Sequence, residues 1–203
     1  EGGMRTARGI RLLALMFPSD EQENMQARFQ NAGLQWPEFT EGSRPEYNFQ
    51  YGMIHDGDGN QVELVFLDGA PEEKFKQVQI GLAVSNLAAM ESFLKEVLGY
   101  TAQVTDQQMR RYGLGVSQVK FWEVDADLPA WNKSPFEGIG MNLVQHIVFD
   151  VDAVREQVIA NGGKIHTEPF ALGTLATIMF VEGPDGILFE FAGPLLDRLK
   201  PEN

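Results

Sequence analysis

Asp185-Gly-Ile-Leu-Phe-Glu190 and Asp58-Gly-Asn-Gln-Val-Glu63 carry the same local code. In each, an Asp-Gly turn launches an apolar strand, and a glutamate sits four residues past the glycine. The sequence upstream of the first copy reads as one unit. His146-Ile-Val-Phe-Asp-Val151 lies in a β-rich run over 142–150 that suits a strand. Asp150 or Asp152 is placed to cap a helix with Val151, Val154, Val158 and Ile159 on one face. Asn161-Gly-Gly163 ends that helix. Strands are then expected over 164–168, stopped by Pro169, over 174–182, and over 187–192 after the Gly183-Pro-Asp-Gly186 turn. The unit is strand–helix–strand–strand–strand.

The same order recurs twice upstream. A strand over 76–84 contains Gln79-Ile-Gly-Leu-Ala-Val84, and Asn86 caps a helix whose apolar face is Leu87, Met90, Phe93, Leu94, Val97 and Leu98. Gly99 closes it, and strands follow over 100–105, 108–115 and 118–124. The first unit is more diverged. It has a strand over 10–17, a capping box from Ser19 and Gln22, a helix carrying Met25 and Phe29, an Asn31-Ala-Gly33 stop, and strands over 47–55 and 61–66. Polar connectors at 68–74 and 125–140 separate the units. The expected division is therefore a diverged unit over 1–70 and a domain over 76–198 made of two units, 76–126 and 141–193.

Composition narrows the function. The chain has 203 residues and 43% hydrophobic content, enough for a packed core. There is no cysteine, which excludes disulfides, thiolate ligands and cysteine nucleophiles and fits a cytoplasmic protein. The net charge of −13 repels nucleic acid and anionic membranes and suits cationic ligands. No apolar run is long enough for a membrane helix, and no signal peptide is visible at the start.

The motifs Gln79-Ile-Gly-Leu-Ala-Val-Ser-Asn-Leu87 with Leu98-Gly99-Tyr100, His146-Ile-Val-Phe-Asp-Val151 and Gly183-Pro-Asp-Gly-Ile-Leu-Phe-Glu190 resemble the vicinal oxygen chelate superfamily, the group of glyoxalase I, bleomycin resistance proteins and extradiol dioxygenases. The resemblance implies an α+β fold of tandem βαβββ modules. Two modules, here the second and third, would form a cup-shaped mixed sheet, with the N-terminal module additional to them. It also implies a metal between paired modules, bound from the first and last strand of each. Those positions fall on Gln79, Glu123, His146 and Glu190, with the same spacing from Gln79 to Glu123 as from His146 to Glu190.

That donor set suits Zn, Ni, Fe, Co or Mn. The glutamates interrupt apolar strand faces, where a carboxylate is costly unless paired or metal-bound. The implied activity is lyase or isomerase chemistry on a small vicinal-oxygen substrate through an enediolate, with the metal as Lewis acid and Glu123 or Glu190 moving the proton. One alternative is a metal-free drug-sequestering protein on the same fold, its acidity suited to a cationic antibiotic. Another is an extradiol-type Fe(II) dioxygenase, which the missing first histidine disfavours. In the first unit Arg11 takes the histidine position and is placed to pair with Glu63, so that unit reads as metal-free. His55 and His166 read as structural or solvated. Trp122, Trp131, Phe136 and Phe170 are candidate pocket aromatics, and Arg110-Arg111 a candidate anion site. An unpaired first module leaves an open sheet edge, which predicts either pairing with the same module of a second chain, as a homodimer, or a further module upstream.

Overall fold

The computed structural model describes residues 4–57, 60–105, 109–130 and 140–195. Three βαβββ modules follow one another. The first comprises β1 (Gly9–Pro18), α1 (Gln22–Asn31), β2 (Thr40–Arg44), β3 (Tyr47–His55) and β4 (Gln61–Asp68). The second comprises β5 (Val78–Val84), α2 (Leu87–Ser92), which runs on into a π turn over Phe93–Val97, then β6 (Thr101–Thr105), β7 (Arg110–Leu114) and β8 (Ser117–Glu123). The third comprises β9 (Leu143–Ile147), α3 (Val151–Ala160), β10 (Lys164–Leu172), β11 (Ala176–Glu182) and β12 (Leu188–Gly193).

Most local expectations hold for their stated reasons. Asn86 accepts from the Ala89 backbone N–H at 3.0 Å and Asp150 from that of Ala153 at 3.0 Å, so both helices start where their caps lie. Gly162, at φ 74°, turns the chain out of α3 in a conformation that glycine adopts freely. Three expectations change. Ser19 does not cap α1: it sits in a short 3-10 turn, its hydroxyl donates to Asp68, and Glu21 takes the N-cap position without a side-chain bond. Pro169 does not end β10, because register shifts beside it let the strand continue. The polar strand β2 lacks the apolar alternation that would announce it.

The larger correction concerns which modules share a sheet. An eight-stranded sheet runs β2-β3-β4-β1-β5-β8-β7-β6, and β1 pairs antiparallel with β5. The first and second modules therefore form the continuous curled sheet. The third module makes its own four-stranded sheet, β10-β11-β12-β9. The fold class of tandem modules with two in one curled sheet stands, but the additional module is the third. The second and third modules do associate, through packing. Met90, Phe93, Leu94 and Val97 of the second meet Val158, Met179, Val181 and Phe189 of the third in one buried core. The open first-strand edge consequently belongs to β9, where Ile147 is 79% exposed.

Asp185 ties the three modules together. It lies in the Gly183–Gly186 turn with φ 59°, and its side chain is 2% exposed. Its carboxylate accepts from the Ser85 backbone N–H at 2.8 Å, the Ser85 hydroxyl at 2.7 Å and Arg8 at 2.6 Å. The turn thus clasps both the β5–α2 corner and the segment entering β1.

Candidate functional site

Strand alternation and register place each candidate ligand on a definite face. In the third module, β9 and β12 are parallel, with Gln145 opposite Glu190 and His146 opposite Phe191. His146 therefore points into the core shared with the second module, where its ring stacks on Phe191 at 4.7 Å. Glu190 points to the opposite face, among Ile178, Phe180 and Ala192. The backbone of β12 lies between the two side chains. In the second module, Gln79 is opposite Gln118 and Val84 is opposite Glu123. Gln79 lies on the concave face, whereas Glu123 falls on the core-facing side at the exposed strand end. The structure does not bring the four expected ligands together. Among the described residues, no group of three or more His, Cys, Asp or Glu side chains is placed to hold a metal.

The local bonding of His146 gives a second reason. Its Nδ1–H donates to the Glu190 backbone carbonyl at 3.2 Å, which leaves Nε2 to accept from the Tyr100 hydroxyl. Both ring nitrogens are engaged. Burial holds the imidazole below its ordinary pKa, against the opposing effect of its backbone hydrogen bonds, and burial raises the Tyr100 hydroxyl. A neutral histidine half-buried between modules is a packing and hydrogen-bonding element. Taken with the separation of its expected partners, the described residues do not fit the metal centre that the resemblance implies.

The concave face of the shared sheet holds a different constellation. Leu12, Ala83 and Trp122 pack there with Met4, Met53, Met109 and Val124. Gly81 is needed beneath Trp122: a β-carbon at that position would lie 2.9 Å from the indole and 2.7 Å from Leu12 Cβ. The Trp122 N–H donates to the Met4 carbonyl at 3.1 Å, so the N-terminal segment covers this end of the cup. Lys120 lies opposite Gly81, and Glu63 lies opposite Met53 and Ala14. Their side chains, 4% and 14% exposed, form an ion pair across the seam between modules. Burial lowers the Lys120 pKa, while Glu63 acts to raise it and Arg111 to lower it. Arg111 is opposite Lys120 on β7. Gln118 receives the Gln79 amide N–H at 2.9 Å and donates to Gln103 at 3.1 Å and Gln77 at 3.3 Å.

Glu63 therefore pairs with Lys120 rather than with Arg11. Lys120 also corrects the assignment of Glu123. Aligning the helix caps Asn86 and Asp150 makes Gly81 the counterpart of Gln145, and their opposite residues are Lys120 and Glu190. The last-strand position thus carries Glu63, Lys120 and Glu190 in the three modules. A sequence signal for this exists in Gln61-Val-Glu63 and Gln118-Val-Lys120. Arg110 is drawn away to Glu91 on α2, and Phe170 packs on the open face of the third sheet. Trp131 and Phe136 lie outside the described residues.

A separate cleft of about 730 Å³ opens on the first module beside the start of α1. Its lining includes Gln22, Glu41, Phe49, Gln50, Phe66 and Asp68. Gln22 donates to Gln50 at 3.1 Å across it.

Tandem βαβββ modules with one curled shared sheet define the class. A family model described as the Glyoxalase/Bleomycin resistance protein/Dioxygenase superfamily matches residues 76–191, and the chain belongs to that superfamily. The matched span covers the second and third modules, the pair joined by packing. Among solved structures, a glyoxalase I mutant from Zea mays is similar at 18% identity and TM-score 0.62, over 93% of this chain and 69% of that one. A candidate dioxygenase from Bacillus subtilis is similar at 12% identity and TM-score 0.62, over 95% and 66%. A glyoxalase/bleomycin resistance protein/dioxygenase from Nocardioides aligns at 20% identity and TM-score 0.46, over 62% and 86%. At such identities the likeness is one of fold. No curated protein sequence matches the chain. No helix among the described residues is long and apolar enough to cross a membrane.

Proposed function

We propose that the chain is a metal-independent, small-molecule-binding member of the superfamily, in the manner of a ligand-sequestering protein. The observation that carries this reading is the placement of His146 and Glu190 on opposite faces of one sheet. A lyase or isomerase working through a metal-bound enediolate needs those donors on one ion, as would an extradiol-type dioxygenase.

The first-module cleft supports a binding role. Its volume is within the usual range for small-molecule sites, and it combines two aromatic rings with amides and the carboxylates of Glu41 and Asp68. That lining, in a chain of net charge −13, favours a cationic ligand with an apolar body.

Isothermal titration calorimetry with cationic aromatic compounds and their anionic counterparts tests the reading. Cationic compounds are expected to bind equally with and without a chelator, and Asp68→Asn to weaken them. Turnover of a 2-oxoaldehyde–thiol adduct that appears only with added Ni, Zn, Co, Mn or Fe would overturn it, as would oxygen consumption with catechols.

A further inference from the structure

The Glu63–Lys120 pair stands at repeat-equivalent positions on the last strands of the two modules that share a sheet. The equivalence extends two residues further back, to Gln61 and Gln118, which lie on the same concave face by strand alternation. The two halves of this quartet are not equally satisfied. Gln118 makes three amide bonds, whereas the Gln61 side-chain oxygen is buried with no hydrogen-bond partner, in a residue only 7% exposed. One side of the seam therefore presents two oxygen groups, the Glu63 carboxylate and the Gln61 carbonyl. The other side sends in an ammonium.

A buried carboxylate requires a counter-charge, and a buried amide oxygen requires a donor or a cation. From this arrangement we infer that Lys120 is a built-in cation: its ammonium does at the module seam what a bound divalent ion would do for the Glu63 carboxylate, and the Gln61 oxygen beside it is left as a donor without a partner. The cup is thereby closed to metal by charge. This goes beyond the metal-independent reading, which rests on where His146 and Glu190 lie. It makes a claim about a different pair of modules. It also predicts a latent site. Removing the Lys120 charge while keeping a polar side chain leaves the Glu63 carboxylate and the Gln61 oxygen without that ammonium, and all-oxygen donor sets favour hard ions such as Mn²⁺.

The test uses the full chain with Mn²⁺ as probe, followed by the electron paramagnetic resonance signal of free ion and by thermal unfolding. Lys120→Gln is expected to take up one equivalent and to unfold at a higher temperature as Mn²⁺ is added, as ligand linkage requires. Wild type and Lys120→Arg are expected to show neither response, and Lys120→Gln with Glu63→Gln to lose both. Should Lys120→Gln fail to fold alone, it is refolded with and without Mn²⁺. Recovery in Mn²⁺ only supports the inference, and no recovery in either condition counts against it. A folded Lys120→Gln indifferent to Mn²⁺ overturns it. So does Mn²⁺ uptake by wild type that disappears in Glu63→Gln. Uptake by wild type that survives Glu63→Gln but not Glu190→Gln would instead defeat the metal-independent function and leave the role of Lys120 intact.

Discussion

The shared sheet and the third module's sheet use one structural position in opposite ways. At the β1–β5 seam, the last-strand position brings Glu63 from one module and Lys120 from the other into an ion pair. In the third module the same position holds Glu190, 8% exposed among Ile178, Phe180 and Ala192 and without a facing module among the described residues. The fold supplies the position, and the neighbouring module decides its chemistry. A carboxylate there becomes half of a charge pair only where another first strand lies alongside.

The largest effects are expected at the seam. Lys120→Met leaves the Glu63 carboxylate buried alone and is expected to cost about 3–5 kcal/mol, since breaking one side of a buried pair strands the other charge. Glu190→Gln is expected to leave stability unchanged or raised, because it removes a buried carboxylate that has no cation paired with it among the described residues. Urea denaturation of both variants measures the contrast, and equal losses would erase it. Next comes the joint between the two regions. Asp185→Ala removes the acceptor for Ser85 and Arg8 and is expected to cost roughly 3 kcal/mol. Limited proteolysis should then separate the third module from the rest earlier than in wild type.

Much of this architecture was legible because it is written locally. Asn86 and Asp150 cap helices by reaching backbone N–H groups three residues on, and Gly162 permits the turn that ends α3. The modular order followed from such signals. Sheet partnership was not legible, since β1, β5 and β9 are all apolar first strands and nothing within them names a partner. The site was misread for a related reason. Glu123 has the expected residue type, but three residues of slip move a side chain to the opposite face of a strand. Lys120 lies in the true register and carries the opposite charge. Matching Gln61-Val with Gln118-Val corrects that slip from sequence alone.

A smaller effect separates the regions by pH. Burial lowers the His146 pKa below its usual 6.5, so between the folded value and 6.5 the unfolded chain binds more protons. Stability is therefore expected to fall as pH drops through 6.5 towards the folded value. His146→Gln should flatten this part of a pH–stability curve recorded by thermal unfolding, while Glu63→Gln should leave it in place. An unchanged slope in His146→Gln would remove His146 as its source.

The smallest change in fold stability is expected at the open edge of the third module. We propose that a second copy of this chain lies along β9, repeating the first-strand pairing of β1 with β5. Light scattering should give twice the 22.7 kDa chain mass, and Ile147→Lys should return the single mass while altering the stability of the dissociated chain by no more than about 0.5 kcal/mol. A single mass at all concentrations contradicts the pairing.

The most direct test of the central claim is the metal stoichiometry of wild-type protein dialysed against Mn, Ni, Zn, Co and Fe, read by plasma mass spectrometry. The charge pair at the seam and the separation of His146 from Glu190 predict no stoichiometric metal. One tightly held equivalent, lost on replacing Glu63 or Glu190 by glutamine, would contradict the account.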